Sequence, residues 1–145
     1  MNLETYPESA LPVKQLKGTD PVEMLDLSWK GLGMASAFVI ASLIGVNGGA
    51  LTKISLACNC LGEDGTKAIC EALKVNKTLK ELDMSGGRES NIGGSAGAQH
   101  VASMLAVNGV LTSLNVLNNN LDTKGKSAIR KAVKSRKGFD LKMAL

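Results

Sequence analysis

Three cysteines and one histidine are the side chains best suited to metal ligation or nucleophilic chemistry, and their spacing supports neither. Cys58 and Cys60 bracket Asn59, while Cys70 and His100 stand well downstream. A tetrahedral metal site needs four convergent ligands, typically paired as C-x2-4-C and H-x3-5-H. This C-N-C triplet offers no such frame. A Ser-His-Asp set needs a base held against a nucleophile and oriented by a third group, and no pattern here holds one together. The loop GGRESNIGGS, Gly86 to Ser95, is glycine-rich but lacks the lysine and glycine spacing that cradles a phosphate. These residues point to a non-enzyme with no catalytic, cofactor or metal residues. Three thiols cannot all pair within the chain, and in a chain with 44% hydrophobic residues they are more naturally reduced and packed, which favours an intracellular setting.

Positioning such residues falls to a repeated unit, clearest in LTKISLACNCLGEDGTKAICEALKVNKTL, Leu51 to Leu79. Leu51, Ile54, Leu56, Asn59 and Leu61 set a strand and its turn; Gly62 and Gly65 then open a helix carrying Ile69 and Leu73 and closing at Asn76. The same order runs through Val22, Leu25, Leu27 and Leu32, through Leu79, Leu82, Met84 and Ile92, and through Leu111, Leu114, Val116, Asn119 and Leu121. Units therefore fall near 22–50, 51–78, 79–110 and 111–138, with a terminal strand over 139–143. The third unit is lengthened by Gly86 to Ser90, and Arg136 stands where the fourth would have its closing Asn. Spacing changes within each unit from about two to three and four, so each reads as a strand followed by a helix. One such unit cannot bury its own apolar face. Stacked side by side, the units make parallel strands on one side and helices on the other, with Leu, Ile and Val between. Residues 1–21 hold Pro7, Pro12 and Pro21 and are expected as an extended amino-terminal flap, with Leu11 to Leu16 covering the first end of the stack.

The pattern resembles leucine-rich repeats, of the long helical class similar to ribonuclease inhibitor, over roughly residues 22–143. That resemblance implies an α/β solenoid, a short horseshoe with parallel strands on the concave side and helices on the convex side. It also implies that Asn59 and Asn119 satisfy backbone groups at the turn after the strand. Lys30 stands in place of the first such Asn and the Gly86 to Ser90 loop interrupts the third, so those turns are expected to be satisfied otherwise. Recognition of a protein or peptide by the strand face follows from the resemblance as well.

Alternation places Met24, Lys53, Glu81 and Ser113 in one column on that face and Asp26, Ser55, Asp83 and Asn115 in the next. Trp29, the only tryptophan, lies beyond them with Cys58, Gly86 and Asn118. It either anchors a partner, as large aromatics do, or packs against the amino-terminal segment. Arg88 in the long loop is a further candidate contact. Phe38 marks a helix without charge, since no charged residue occurs from Gly31 to Thr52, nor from Ser90 to Leu121. An apolar helix face is normally covered, so the alternative role is a structural subunit or scaffold of a larger assembly, or a homo-oligomer. The run Met34 to Val46, 13 residues, is too short to span a membrane. With a charge of +4 and only 3% aromatic residues, composition argues against nucleic acid, and the basic last helix, from Lys124 to Lys137, reads as a solvated cap or an acidic docking surface. The start MNLETYPESALPVKQ carries no secretory pattern, so the chain is expected in the cytoplasm, or in an organelle as a processed chain.

Overall fold

The computed structural model describes residues 11–45 and 49–144. Residues 1–10 of the expected flap, and residues 46–48 with the first unit's closing Asn47, lie outside the described residues. From Val13 onward the chain forms α1 (Val13–Lys17), β1 (Met24–Asp26), α2 (Gly33–Ile44), β2 (Lys53–Ser55), α3 (Gly62–Leu73), β3 (Glu81–Asp83), α4 (Gly94–Val107), β4 (Ser113–Asn115), α5 (Thr123–Val133) and β5 (Asp140–Lys142). The five strands make one open parallel sheet in the order β1-β2-β3-β4-β5. Each helix packs on the next, α1 on α2 through to α4 on α5, so they form a single layer against one face of the sheet.

Register follows the repeat. Leu25, Ile54, Leu82, Leu114 and Leu141 are aligned across the five strands. The first four are buried, as are Leu27, Leu56, Met84 and Val116 just past them. From the helices come Ile40, Ile69, Val101 and Ile129, all fully buried. Each such side chain stabilises the fold by about 1.5–3 kcal/mol relative to exposure. Helices approach closely because one position in each is small: Ser36, Gly65, Gly97 and Gly125. A Cβ on Gly65 would sit 3.1 Å from that of Ala37, and one on Gly125 would sit 3.2 Å from that of Ala98.

The segment Leu11 to Leu16, expected as extended, is instead a short helix. Pro12 immediately precedes α1, where its missing N–H costs nothing, and Gly18 ends it in the left-handed region, donating to the Gln15 carbonyl. Prolines thus limit the helix to one turn and a half without preventing it. Leu11 and Leu16 are buried, so the apolar cover over the first unit is supplied by a helix packed on α2.

Strands of three residues leave many backbone groups unpaired at their ends, and asparagines satisfy them. Asn59 donates to the carbonyls of Leu27 and Ala57 while its Oδ1 accepts from Lys30 N and Leu32 N. The turn of the first unit, where Lys30 replaces Asn, is therefore satisfied by its neighbour. In the third unit the role falls to Asn91, which the sequence pattern had not assigned. Its Nδ2 reaches the carbonyls of Leu56, Met84 and Ser85, and its Oδ1 accepts from Asn59 N and Leu61 N. Asn119 repeats this one unit on, accepting from Asn91 N at 2.6 Å and Ile92 N at 3.1 Å. A second row serves the helix-to-strand turns. Asn76 donates to Ile44 O, Asn108 to Leu73 O, and each accepts from the two N–H groups that open the next strand segment. Arg136 occupies the equivalent place in the fourth unit and reaches the carbonyls of Leu105, Asn108 and Leu111.

Replacing Asn91 with alanine orphans buried groups in two units at once and is expected to cost about 3 kcal/mol, since each unsatisfied buried group costs roughly 1–3 kcal/mol. Urea unfolding followed by circular dichroism measures this; an unchanged midpoint would show that the loop, not Asn91, carries the third turn.

Candidate functional site

The turns after β1, β2 and β4 each hold a residue with left-handed backbone geometry: Trp29 at φ +57°, Cys58 at +55°, Asn118 at +59°. Hydrogen bonds between neighbouring turns fix them in line, Trp29 N to Ala57 O, Cys58 N to Ser85 O and Gly86 N to Leu117 O. Asn tolerates this region; a bulky aromatic does so at a cost of roughly 1–2 kcal/mol. Trp29 is nonetheless 73% exposed. It therefore bears the strain of the turn without the burial that normally offsets it.

Around Trp29 lie two hollows. The larger, about 510 Å³, lies over β1–β3 and is lined by Met24, Asp26, Trp29, Lys53, Ser55 and Asp83, together with Ser28, Ala57, Cys58 and Ser85. The second, about 330 Å³, shares Trp29 and Cys58 with the first and is lined further by Cys60, Asn91 and the tip of the long loop, Gly87 to Glu89. Gly86 packs against the Asn118 carbonyl and Ser90 bonds Asn119 and Gly94 N, so the loop is pinned at both ends while Arg88 and Glu89 stand exposed. A Cβ on Gly87 would come within 3.2 Å of the indole edge. Trp29 and Arg88, far apart in sequence, thus share one hollow. Glu81 and Asn115 flank the larger one in a shallow site of about 120 Å³ with Lys53, Asp83, Asp140 and Lys142. Phe38 is not brought to this face; it lies on α2, 45% exposed beside the similarly exposed Met34. Cys60, Gly87, Asp140 and Lys142 were missed as neighbours of the site. Extending the two columns by one strand to the terminal segment 139–143 would have found the last pair.

Charge on the face is ordered. Asp26 accepts from Ser28 N at 3.0 Å and from Ser28 Oγ at 2.5 Å, and these bonds hold its carboxyl below the usual carboxylate range. Asp83 accepts from Ser85 N at 2.9 Å in the same Asp-x-Ser arrangement. Lys53 approaches Glu81 at 4.0 Å with both side chains about half exposed, a pair worth less than about 1 kcal/mol. Burial raises the Cys58 thiol and the nearby Asp83 charge raises it further, so it stays protonated at neutral pH. Cys70 is enclosed in α3 and pushed up to about 12. His100 on α4 meets Glu63 on α3 at 3.3 Å, an interhelical contact remote from the two hollows. Among the described residues, no three His, Cys, Asp or Glu side chains converge to hold a metal ion.

No family model matches the chain. It is 38% identical over 81 residues, 56% of its length, to "NACHT, LRR and PYD domains-containing protein 13" of Homo sapiens, and 35% identical over 119 residues, 78% of its length, to "NACHT, LRR and PYD domains-containing protein 5" of Bos taurus. It spans only 7% and 10% of those proteins. Among solved structures it is similar to "Leiomodin-1 Actin-Binding Site 2 (ABS2)", with a TM-score of 0.80 at 19% identity, covering 94% of this chain and 79% of that one. The fold is leucine-rich-repeat-like. Both the alignment with LRR-containing proteins and the register of the parallel strands say so.

Replacing Trp29 with Asn, the residue type at the matching turn position of the fourth unit, should raise stability by about 1 kcal/mol through relief of left-handed strain. Thermal unfolding reads the change; a loss of stability would make the indole a structural element.

Proposed function

We propose that the chain is a non-enzymatic protein-interaction module that binds its partner through the sheet face, with Trp29 as anchor. The observation that carries this is the exposed indole held in a strained turn between two hollows, because an element that costs stability and gains no burial is retained for something outside the fold. Met24, Asp26, Lys53, Ser55 and Asp83 line one hollow with it and Arg88 the other; Glu81 and Asn115 extend the contact along the columns. In this reading the units form a short, curved solenoid of the ribonuclease-inhibitor-like class, residues 22–143, with the sheet on its concave side and α1 as part of an end cover. LRR-containing relatives support an interaction role. The protonated Cys58 and enclosed Cys70 support a non-catalytic one. All three thiols are free, which supports an intracellular location, and no helix among the described residues is long and apolar enough to cross a membrane.

A second reading rests on α2, where Met34 and Phe38 each remain 45% exposed on a helix without charge. There the chain is a subunit or scaffold held in an assembly, or a homo-oligomer, through its helix layer. Affinity capture with matched variants separates the two. A sheet-face partner is retained by wild type and Phe38→Glu, and its affinity falls roughly thirtyfold, about 2 kcal/mol, on Trp29→Ala or Asp83→Lys. Loss with Phe38→Glu alone, accompanied by a fall in native mass, would move the interface to α2.

A further inference from the structure

The geometry points to an arginine side chain, presented by the partner's peptide segment, as the occupant of the larger hollow. This rests on the sheet face being the binding face and specifies the chemistry it receives. Two carboxylates, Asp26 and Asp83, stand on β1 and β3 with the small Ser55 between them on β2, all in register. Two strand steps separate them by about 9–10 Å. Both hydrogen bonds of Asp26 and that of Asp83 fall on Oδ1, so among the described residues the Oδ2 atoms are left to accept from a ligand. Ser28 and Ser85 hold both carboxylates in place before any ligand arrives. Lys53, 4.0 Å from Glu81, is the one cation lining the hollow, so two carboxylates there face a single ammonium. Trp29 lines the same hollow with its indole exposed.

An exposed indole beside fixed carboxylates matches a guanidinium, which stacks its plane on an aromatic face while its edge donates N–H groups to a carboxylate. Lysine offers the charge without the stacking plane or the fork. An acidic segment is repelled by both aspartates, and a purely apolar one would strip water from them without replacing their hydrogen bonds. Composition does not account for the placement: the chain as a whole carries +4, yet this hollow is acidic.

Selection of random peptides on the wild-type chain, with Trp29→Ala as counter-target, tests the assignment. Because Trp29 is the only tryptophan, its fluorescence reports binding of each selected peptide directly. Enriched peptides are expected to share an arginine, to lose roughly five- to tenfold in affinity when that arginine becomes lysine, and to lose at least as much against Asp83→Asn or Asp26→Asn, with binding weakening as salt rises. Peptides that need Trp29 but carry no basic residue, or that bind Asp26→Asn and Asp83→Asn unchanged, would overturn the arginine assignment while leaving the sheet-face reading intact. No enrichment over Trp29→Ala would overturn both.

Discussion

Buried backbone polarity is the constraint on which the rest of this structure depends. With three residues per strand, the sheet ladder satisfies few groups, and the carbonyls and N–H groups at each strand exit lie inside the protein, away from water. The row Asn59, Asn91, Asn119 answers this at one edge and Asn76, Asn108, Arg136 at the other. Each of these side chains bonds both its own unit and the unit before it. They therefore set register as well as satisfying charge dipoles, since a unit slipped by one residue would leave both its own groups and its neighbour's unpaired.

Such a frame frees the turns to carry residues the fold does not need. Because the asparagine rows hold the strand exits, the turn residue itself is bonded only through its backbone, and its side chain is unconstrained. Cys58 and Asn118 fill that place modestly in their units; Trp29 does so at a conformational cost. The long loop shows the same logic. Gly86 and Asn91 keep the bonds of a regular unit at either end, and the extra residues Gly87, Arg88 and Glu89 line a hollow with the indole. Departures from the regular unit therefore converge at one place on the sheet, next to the carboxylates of β1 and β3.

Much of this was legible along the chain, for a reason of period. Residues that alternate in a strand must fall in columns once the units stack, so Asp26, Ser55, Asp83 and Asn115 could be placed side by side from spacing alone, and Lys53 beside Glu81. Asn91 was not legible because the loop brings it one residue closer to Ile92 than Asn59 is to Leu61, breaking the count while preserving the position in space. The count placed Arg136 at the closing-Asn position but not its role: a long cation reaches the carbonyls that a short amide serves elsewhere, and residue type gave no hint of it. At the amino end, proline content predicted extended chain because it forbids long helices, but a helix as short as α1 needs only that Pro12 come before it.

The succession of strand and helix, the identity of the core and the parallel order of the sheet were determined by the sequence itself, because apolar spacing and a repeat that cannot fold singly leave one way to bury the leucines. Only the tertiary structure decided that Trp29 stands exposed in a left-handed turn and that Arg88 comes to line one hollow with it. Those outcomes depend on how far one unit is turned and shifted against the next. That offset is set by the small residues between the helices and by the asparagine bonds between the turns, and it appears in no single repeat.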